Sequence, residues 1–141
     1  MDDYSIHVRF AVPADSEWCA AHEHVPEQVI TRKIPHNEIV IAERDGQRIG
    51  LLRLEYLWSM VPYIALIRVL ERFQRQGTGR ALLVFVEAYL RAQGHRVLMS
   101  SSQVDEAPPQ AWHRHMGFVE CGILAGINDG GIGEVFFRKE L

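Results

Sequence analysis

The chain has 141 residues, of which 48% are hydrophobic and 23% are charged, and its formal net charge is -3. This length is typical of one domain and suffices to bury about 70% of the unfolded surface, so we expect a single domain over residues 1–141. Without a basic excess or a block of like charge, the composition gives no reason to expect a nucleic-acid partner.

The sequence also argues against membrane, disulfide and metal sites. The acidic start Met1-Asp2-Asp3-Tyr4 lacks the features of a secretory signal, and no run approaches the roughly 18 apolar residues that span a bilayer. We therefore expect a cytoplasmic protein without membrane contact. Cys19 and Cys121 are far apart in sequence and are expected to be small buried hydrophobes. His22 and His24 have a spacing that can bind a metal, but no third ligand is near, so no metal is expected.

The first half of the chain predicts short helices and an antiparallel group of strands. Alternation of apolar and polar residues predicts the first strand, and prolines mark both helix starts. Asp45-Gly46 is a strong hairpin-turn sequence between the second and third strands. The predicted elements are strands over 5–10, 39–44 and 48–57, and helices over 13–22 and 26–35.

The middle of the chain predicts a strand, helix and strand unit. Residues 63–70 are nearly all apolar, which is typical of a strand covered on both faces. From Gly79 the apolar positions follow helical spacing up to the stop at Gly94, and a further strand follows over 97–101. Such a unit is expected to form a right-handed parallel crossover.

The last part of the chain predicts a short helix and an antiparallel pair of strands. Pro108-Pro109 starts the helix, which ends before Gly117, and the strands cover 118–124 and 134–139. The complete pattern indicates the α/β (α+β) class, with a mixed central sheet of about seven strands and helices on both faces.

The most informative segment is Gln74-Arg75-Gln76-Gly77-Thr78-Gly79, between the strand over 63–70 and the helix over 80–93. A glycine-bearing loop that enters a helix points unpaired backbone N–H groups and the positive end of the helix dipole at one place. Arg75 and Arg80 add positive charge, so the expected ligand is anionic. A dinucleotide site would have a third glycine at Leu82, and the Gly-Lys-Ser/Thr of a P-loop is absent.

This loop, in the pattern Gln/Arg-x-x-Gly-x-Gly/Ala after a hydrophobic strand, resembles the GNAT superfamily of acyl-CoA-dependent N-acyltransferases. The segment 111–118 is similar to the aromatic-x-x-x-x-Gly-Phe signature near the end of that fold, and the resemblance covers roughly residues 38–141. It implies a splayed parallel pair of strands and acetyl-CoA as the cosubstrate. The cofactor-binding residues it implies are Val69, Leu70 and Glu71 for the pantetheine arm, and Gln74, Arg75, Gln76, Gly77, Thr78, Gly79 and Arg80 for the diphosphate.

The resemblance further implies transfer of an acetyl group to a primary amine by direct attack in a ternary complex. The tyrosine acid that the family commonly uses falls on His113 here. An imidazole there can protonate the leaving thiolate, donate a hydrogen bond to the cofactor sulfur, or simply be a half-exposed helix histidine.

A general base is harder to predict. The glutamate that some family members carry falls on Tyr63, and the comparable site on the following strand falls near Ser101. Glu55, or Asp105 and Glu106, can act through a water, and a neutral amine needs no base at all.

The acceptor and the assembly stay open. The acceptor is expected to be an amine of a small molecule or peptide, and Trp58 either lines its pocket by cation–π contact or packs in the core or at the rim. A homodimer through the last strands is possible in the resembled family. The alternative functions are a non-catalytic acyl-CoA-binding or sensing module, and a structural or dimerisation role that rests on the apolar stretch Val135-Phe136-Phe137.

Overall fold

A computed structural model describes residues 5–141. It contains one mixed sheet of seven strands in the order β1-β2-β3-β4-β5-β7-β6. The strands are β1 (His7–Phe10), β2 (Ile39–Arg44), β3 (Gln47–Leu57), β4 (Val61–Val69), β5 (Val97–Gln103), β6 (Val119–Leu124) and β7 (Glu134–Glu140). The helices are α1 (Ser16–Ala21), α2 (Glu27–Lys33), α3 (Thr78–Ala92) and α4 (Ala107–His115). The predicted fold class is confirmed, and most boundaries agree within two residues.

Neighbouring strands are antiparallel except for β4 and β5, which run parallel. The bridged pair between β4 and β5 is Tyr63 with Met99, whereas β3 and β4 stay paired as far as Gly50 with Val69. The two parallel strands therefore separate beyond Tyr63, as the resemblance implies. The register between β3 and β4 shifts at Ala65, so β4 carries a bulge directly after the point of separation.

Helices cover both faces of the sheet. On one face α3 packs its apolar stripe over β1 to β4, and α4 reaches β5 and β7 through His113. This core contains Val40, Leu52, Leu54, Ile64, Leu82, Leu83, Val86, Leu90, Leu98 and Phe137. On the other face α1 and α2 cover β2, β3 and part of β4, with Cys19, Ile30, Ile39, Ile41 and Leu51. The β5 and β7 half of this second face contributes nothing to that core and carries half-exposed side chains.

Two sequence-based predictions need correction. Cys19 is buried, and burial raises the pKa of its thiol to about 12, but Cys121 is exposed on the edge strand β6. Val135 and Phe137 belong to the main core, so the structural or dimerisation role loses the apolar surface on which it rested.

The start Met1 to Tyr4 lies outside the described residues, and within 5–141 no helix has the length and apolarity to cross a membrane.

Candidate active site

The predicted anion loop lies between the end of β4 and the start of α3. A single 3-10 turn, Glu71–Phe73, follows β4, and the loop then passes through two left-handed residues, Arg75 at φ 61° and Gly77 at φ 87°. No side chain caps α3, and the Ala81 N–H donates to the Gly77 carbonyl at 2.9 Å. The N–H groups that precede Ala81 in the first turn therefore have no intrahelical partner and are available to an anion.

Arginines surround this helix start. Arg75 and Arg80 are exposed, and neither forms an ion pair with another residue in the range 5–141. Arg44, at the end of β2, donates from Nη1 to Oε1 of Gln76, and the Gln76 Nε2 in turn donates to the Arg72 carbonyl at 3.3 Å. Arg44 thus brings a third positive charge to the loop from a distant part of the chain, and sequence reasoning missed it.

The packing around Thr78 and Gly79 supports the start of α3. Thr78 is 1% exposed, and its methyl group lies 3.4 Å from the position that a Cβ on Gly50 would take, so its side chain packs against β3. A Cβ on Gly79 would lie 3.5 Å from the Trp112 ring, which packs on the first turn of α3. The helix start is therefore supported by β3 below and by α4 at its side.

The end of β4 supplies backbone groups to the gap. The Leu70 N–H donates to the Ile49 carbonyl at 2.9 Å and its carbonyl accepts from the Phe73 N–H at 2.8 Å, so both Leu70 groups are engaged. Because hydrogen-bonding directions alternate along an antiparallel strand, Val69 points its N–H and C=O away from β3 and towards the gap. The Val69 carbonyl already accepts from Gln74 Nε2 at 3.0 Å. Val69 thus directs an N–H towards the gap, whereas both backbone groups of Leu70 are engaged within the protein. The pantetheine-binding roles of Val69, Leu70 and Glu71 stay predictions.

His113 is buried rather than half-exposed. It is 3% exposed, its ring stacks on Phe137 with centroids 4.6 Å apart, and Nδ1 lies 2.8 Å from the Pro109 carbonyl. Because a carbonyl can only accept, Nδ1 carries the proton, and Nε2, 2.7 Å from Ser100 Oγ, accepts from that hydroxyl in the neutral ring. Burial lowers the pKa of His113, which favours this neutral form. The role of His113 as the leaving-group acid stays a prediction. Its hydrogen bonds to Ser100 and Pro109 favour a structural role.

The opposite face of the sheet, at the point where β4 and β5 separate, carries a chain of polar side chains. Ser101 Oγ donates to Glu134 Oε2 at 2.5 Å, and the Tyr63 hydroxyl lies 2.6 Å from Ser101 Oγ. Since the one proton of Ser101 is directed to Glu134, Tyr63 donates to Ser101. Asn128 Nδ2 holds the other carboxylate oxygen of Glu134 at 3.0 Å. A carboxylate therefore lies one serine away from the tyrosine that occupies the position of the expected glutamate.

The three carboxylates predicted as general bases, Glu55, Asp105 and Glu106, are either paired with an arginine or lie away from the separated strands. Glu55 is opposite Tyr63 on β3, and its carboxylate forms an ion pair with Arg53, which also binds Glu23 at 2.6 Å. Asp105 and Glu106 are exposed beyond the end of β5. Their catalytic roles stay predictions.

Trp58 lies at the tip of the β3–β4 hairpin and is 85% exposed. This exposure excludes packing of Trp58 in the core, and its role in lining an acceptor pocket stays a prediction. No group of three or more metal-ligating side chains is found within residues 5–141.

Comparisons with known proteins match this geometry. The model of the Acetyltransferase (GNAT) family matches residues 8–118. The chain is 31% identical over 133 residues to the aminoglycoside N(6')-acetyltransferase type 1 of Stenotrophomonas maltophilia, covering 80% of this chain and 86% of that protein.

Solved structures share the fold at lower identity. The ribosomal-protein-alanine N-acetyltransferase of Brucella melitensis superimposes with a TM-score of 0.81 at 22% identity, covering 96% of this chain and 99% of that one. The yncA protein of Salmonella typhimurium, whose structure holds its cofactor acetyl-CoA, has a TM-score of 0.81 at 17% identity, covering 96% of this chain and 94% of that one. At these identities the likeness concerns the fold alone.

Proposed function

Because this chain belongs to the GNAT family of acetyltransferases, we propose that it transfers the acetyl group of acetyl-CoA to a primary amine of a small molecule or peptide, by direct attack in a ternary complex. The observation that carries the proposal is the uncapped start of α3 beside the separated strands β4 and β5. An anion-binding loop and an adjoining gap with backbone groups suit a ligand that has a diphosphate at one end and amides along its length.

The chain's own groups fit this ligand. The first-turn N–H groups of α3, together with Arg75 and Arg80, suit the diphosphate, and Gly77 provides the left-handed residue that turns the chain into the helix. Val69 offers an N–H towards the gap, where a pantetheine amide can pair with it. When bound, acetyl-CoA would supply the acetyl group as a thioester, and these contacts would hold its carbonyl in the gap.

The acceptor would approach from the face that carries Tyr63, Ser101 and Glu134. This half of the face is not covered by α1 and α2, and its side chains are half-exposed. The carboxylate of Glu134, which is held by the neutral side chains of Ser101 and Asn128, gives it a negative charge that attracts a protonated amine. Similarity to an aminoglycoside acetyltransferase supports a cationic acceptor of this kind.

The test is an amine panel with detection of free thiol. The protein is mixed with acetyl-CoA and, in turn, kanamycin, spermidine, an amino acid and peptides with a free N-terminus or lysine. Release of coenzyme A that depends on one of these amines, with the acetylated product seen by mass spectrometry, supports the proposal. Binding of acetyl-CoA without amine-dependent thiol release would contradict it.

That second outcome would favour a non-catalytic acyl-CoA-binding or sensing module of the same fold. One observation favours this alternative: His113, at the position of the family's tyrosine acid, has both ring nitrogens engaged within the protein. Such a module would bind acetyl-CoA with an affinity that the amine panel leaves unchanged.

A further inference from the structure

The side chains of Tyr63, Ser101 and Glu134 form a directed series of hydrogen bonds at the point where β4 and β5 separate. Its three members come from three different strands, β4, β5 and β7, and each is half-buried, so the chain is ordered by the sheet and yet open to one side. The hydrogen bonds run in one direction, from Tyr63 through Ser101 to Glu134. A fixed direction that ends on a carboxylate is what a proton path requires.

We propose that Tyr63, Ser101 and Glu134 form a proton relay that removes a proton from the bound ammonium group of the acceptor, with Tyr63 as the residue that contacts the amine. This inference rests on the proposed function. It assigns the missing base to Glu134, a residue that lies 33 positions after Ser101 and that no spacing in the sequence connects to Tyr63.

The relay answers a specific chemical requirement. An alkyl ammonium with a pKa near 10 is neutral in only about one molecule in a thousand at pH 7, and a protonated nitrogen has no lone pair with which to attack a thioester. A positioned base typically contributes about 10²- to 10⁴-fold in rate. The carboxylate that provides this does not have to touch the amine, provided that hydroxyl groups connect the two.

The proton balance is simple. The ammonium nitrogen gives one proton to the Tyr63 oxygen, the Tyr63 proton moves to Ser101 Oγ, and the Ser101 proton moves to Glu134 Oε2. The amine becomes neutral, both hydroxyls are restored, and Glu134 is left protonated and later loses its proton to water. The neutral nitrogen then bonds to the carbonyl carbon as the carbon–sulfur bond breaks, and its second proton goes to the sulfur to give the thiol and the amide.

The surroundings of the relay keep its members in these roles. Tyr63 stacks on Phe136 with centroids 5.9 Å apart, which fixes the direction of its hydroxyl. Burial raises the pKa of Tyr63, so it stays a neutral donor and passes the proton on instead of losing it. Asn128 holds the second oxygen of Glu134, which leaves Oε2 for Ser101.

Charged and titratable groups face the relay from three elements. Glu55 and Arg53, on β3, act on Tyr63 with opposite sign. His113, on α4, feels the charge of Glu134 from the other face of the sheet. On β7 the neighbouring Arg138 pairs with Glu140 at 3.4 Å and is directed to that residue. The carboxylate of Glu55 is held by Arg53, whereas Glu134 accepts directly from Ser101, so Glu134 is the carboxylate that the relay can use.

The test uses the amine from the panel that turns over fastest, and compares Tyr63→Phe, Ser101→Ala and Glu134→Gln with the wild type from pH 6 to pH 9.5. Each variant interrupts the relay, so we expect kcat/KM to fall roughly 100-fold at pH 7. The loss should shrink to within about threefold at pH 9.5, because a large fraction of the amine is then neutral without a base. The affinity for coenzyme A, measured by calorimetry, should stay within about twofold.

Two matched variants separate the relay from a structural effect. Ser101→Thr keeps a hydroxyl at the same place and should retain most of the activity that Ser101→Ala loses. Glu27→Gln removes an exposed carboxylate from α2 and should leave the pH profile unchanged.

The outcomes are distinguishable. A loss of equal size at every pH, or variants that match the wild type, would overturn the relay while the proposed function stands. A wild-type protein that releases no coenzyme A with any amine of the panel would overturn both.

Discussion

Replacing His113 with glutamine should change how folding stability depends on pH. The ring is 3% exposed and burial lowers its pKa in the folded protein from the usual 6.5, so the unfolded chain binds more protons just below that value. The stability that the neutral ring contributes is therefore fully present above pH 6.5 and is lost as pH falls. At pH 5.5 the loss is at most about 1.4 kcal/mol, the free energy of a one-unit pKa difference.

The assay is urea unfolding followed by circular dichroism at pH 7.5, 6.5 and 5.5. Glutamine can still accept from Ser100 but does not titrate, so His113→Gln should be about 1–3 kcal/mol less stable at pH 7.5 and should lack this part of the pH dependence. His115→Gln, which removes an exposed histidine from the same helix, is the matched control. Turnover by His113→Gln should fall less than about fivefold. An unchanged pH dependence of stability would refute the burial argument, and a loss above about 100-fold in kcat would restore His113 as the acid.

Three further predictions concern the loop, a buried ion pair and the edge of the sheet. Gly77 and Gly94 lie at opposite ends of α3, both at positive φ and with open space around the Cβ position. Gly77→Ala and Gly94→Ala should therefore each lower the free energy of unfolding by about 1 kcal/mol. Only Gly77→Ala should weaken coenzyme A binding in calorimetry. Asp15→Ala should lower the free energy of unfolding by roughly 3 kcal/mol in urea titrations, because the fully buried carboxylate binds Arg9 at 2.7 Å and Arg48 at 2.8 Å; a change under 1 kcal/mol would contradict this. If two copies pair through the open edge strand β6, Ile123→Lys should yield a monomer by light scattering, and a monomeric wild type would end the homodimer prediction.

The helices, strands and turns could be predicted from sequence, because hydrophobic periodicity and turn residues determine the local backbone conformation. The anion loop belongs to this class, since the strand, the loop and the helix are consecutive. The Tyr63–Ser101–Glu134 chain does not, because it depends on the register of β4, β5 and β7, and register is fixed by the packed sheet rather than by spacing along the chain.

Arg44 and His113 show the same limit. Arg44 lies at the end of β2 and binds Gln76, which is 32 positions later in the sequence. The residues next to Arg44 in the sequence give no sign that it belongs to the anion loop. His113 lies in a polar run, His113-Arg114-His115, which indicates an exposed helix; the hydrogen bond to Ser100 on β5 and the stacking on Phe137 place it inside. Burial of a polar residue depends on partners from other elements, and the local sequence does not contain them.

The central claim is that the start of α3 binds the diphosphate of coenzyme A, and isothermal titration calorimetry tests it most directly. We expect wild-type protein to bind coenzyme A, and the double variant Arg75→Ala, Arg80→Ala to bind it about 10- to 100-fold more weakly, since each of these exposed arginines is expected to contribute roughly 0.5–1.5 kcal/mol through a hydrogen bond to the diphosphate. Arg91→Ala, at the other end of α3, should bind like the wild type. No binding by the wild-type protein, or equal binding by the double variant, would contradict the account.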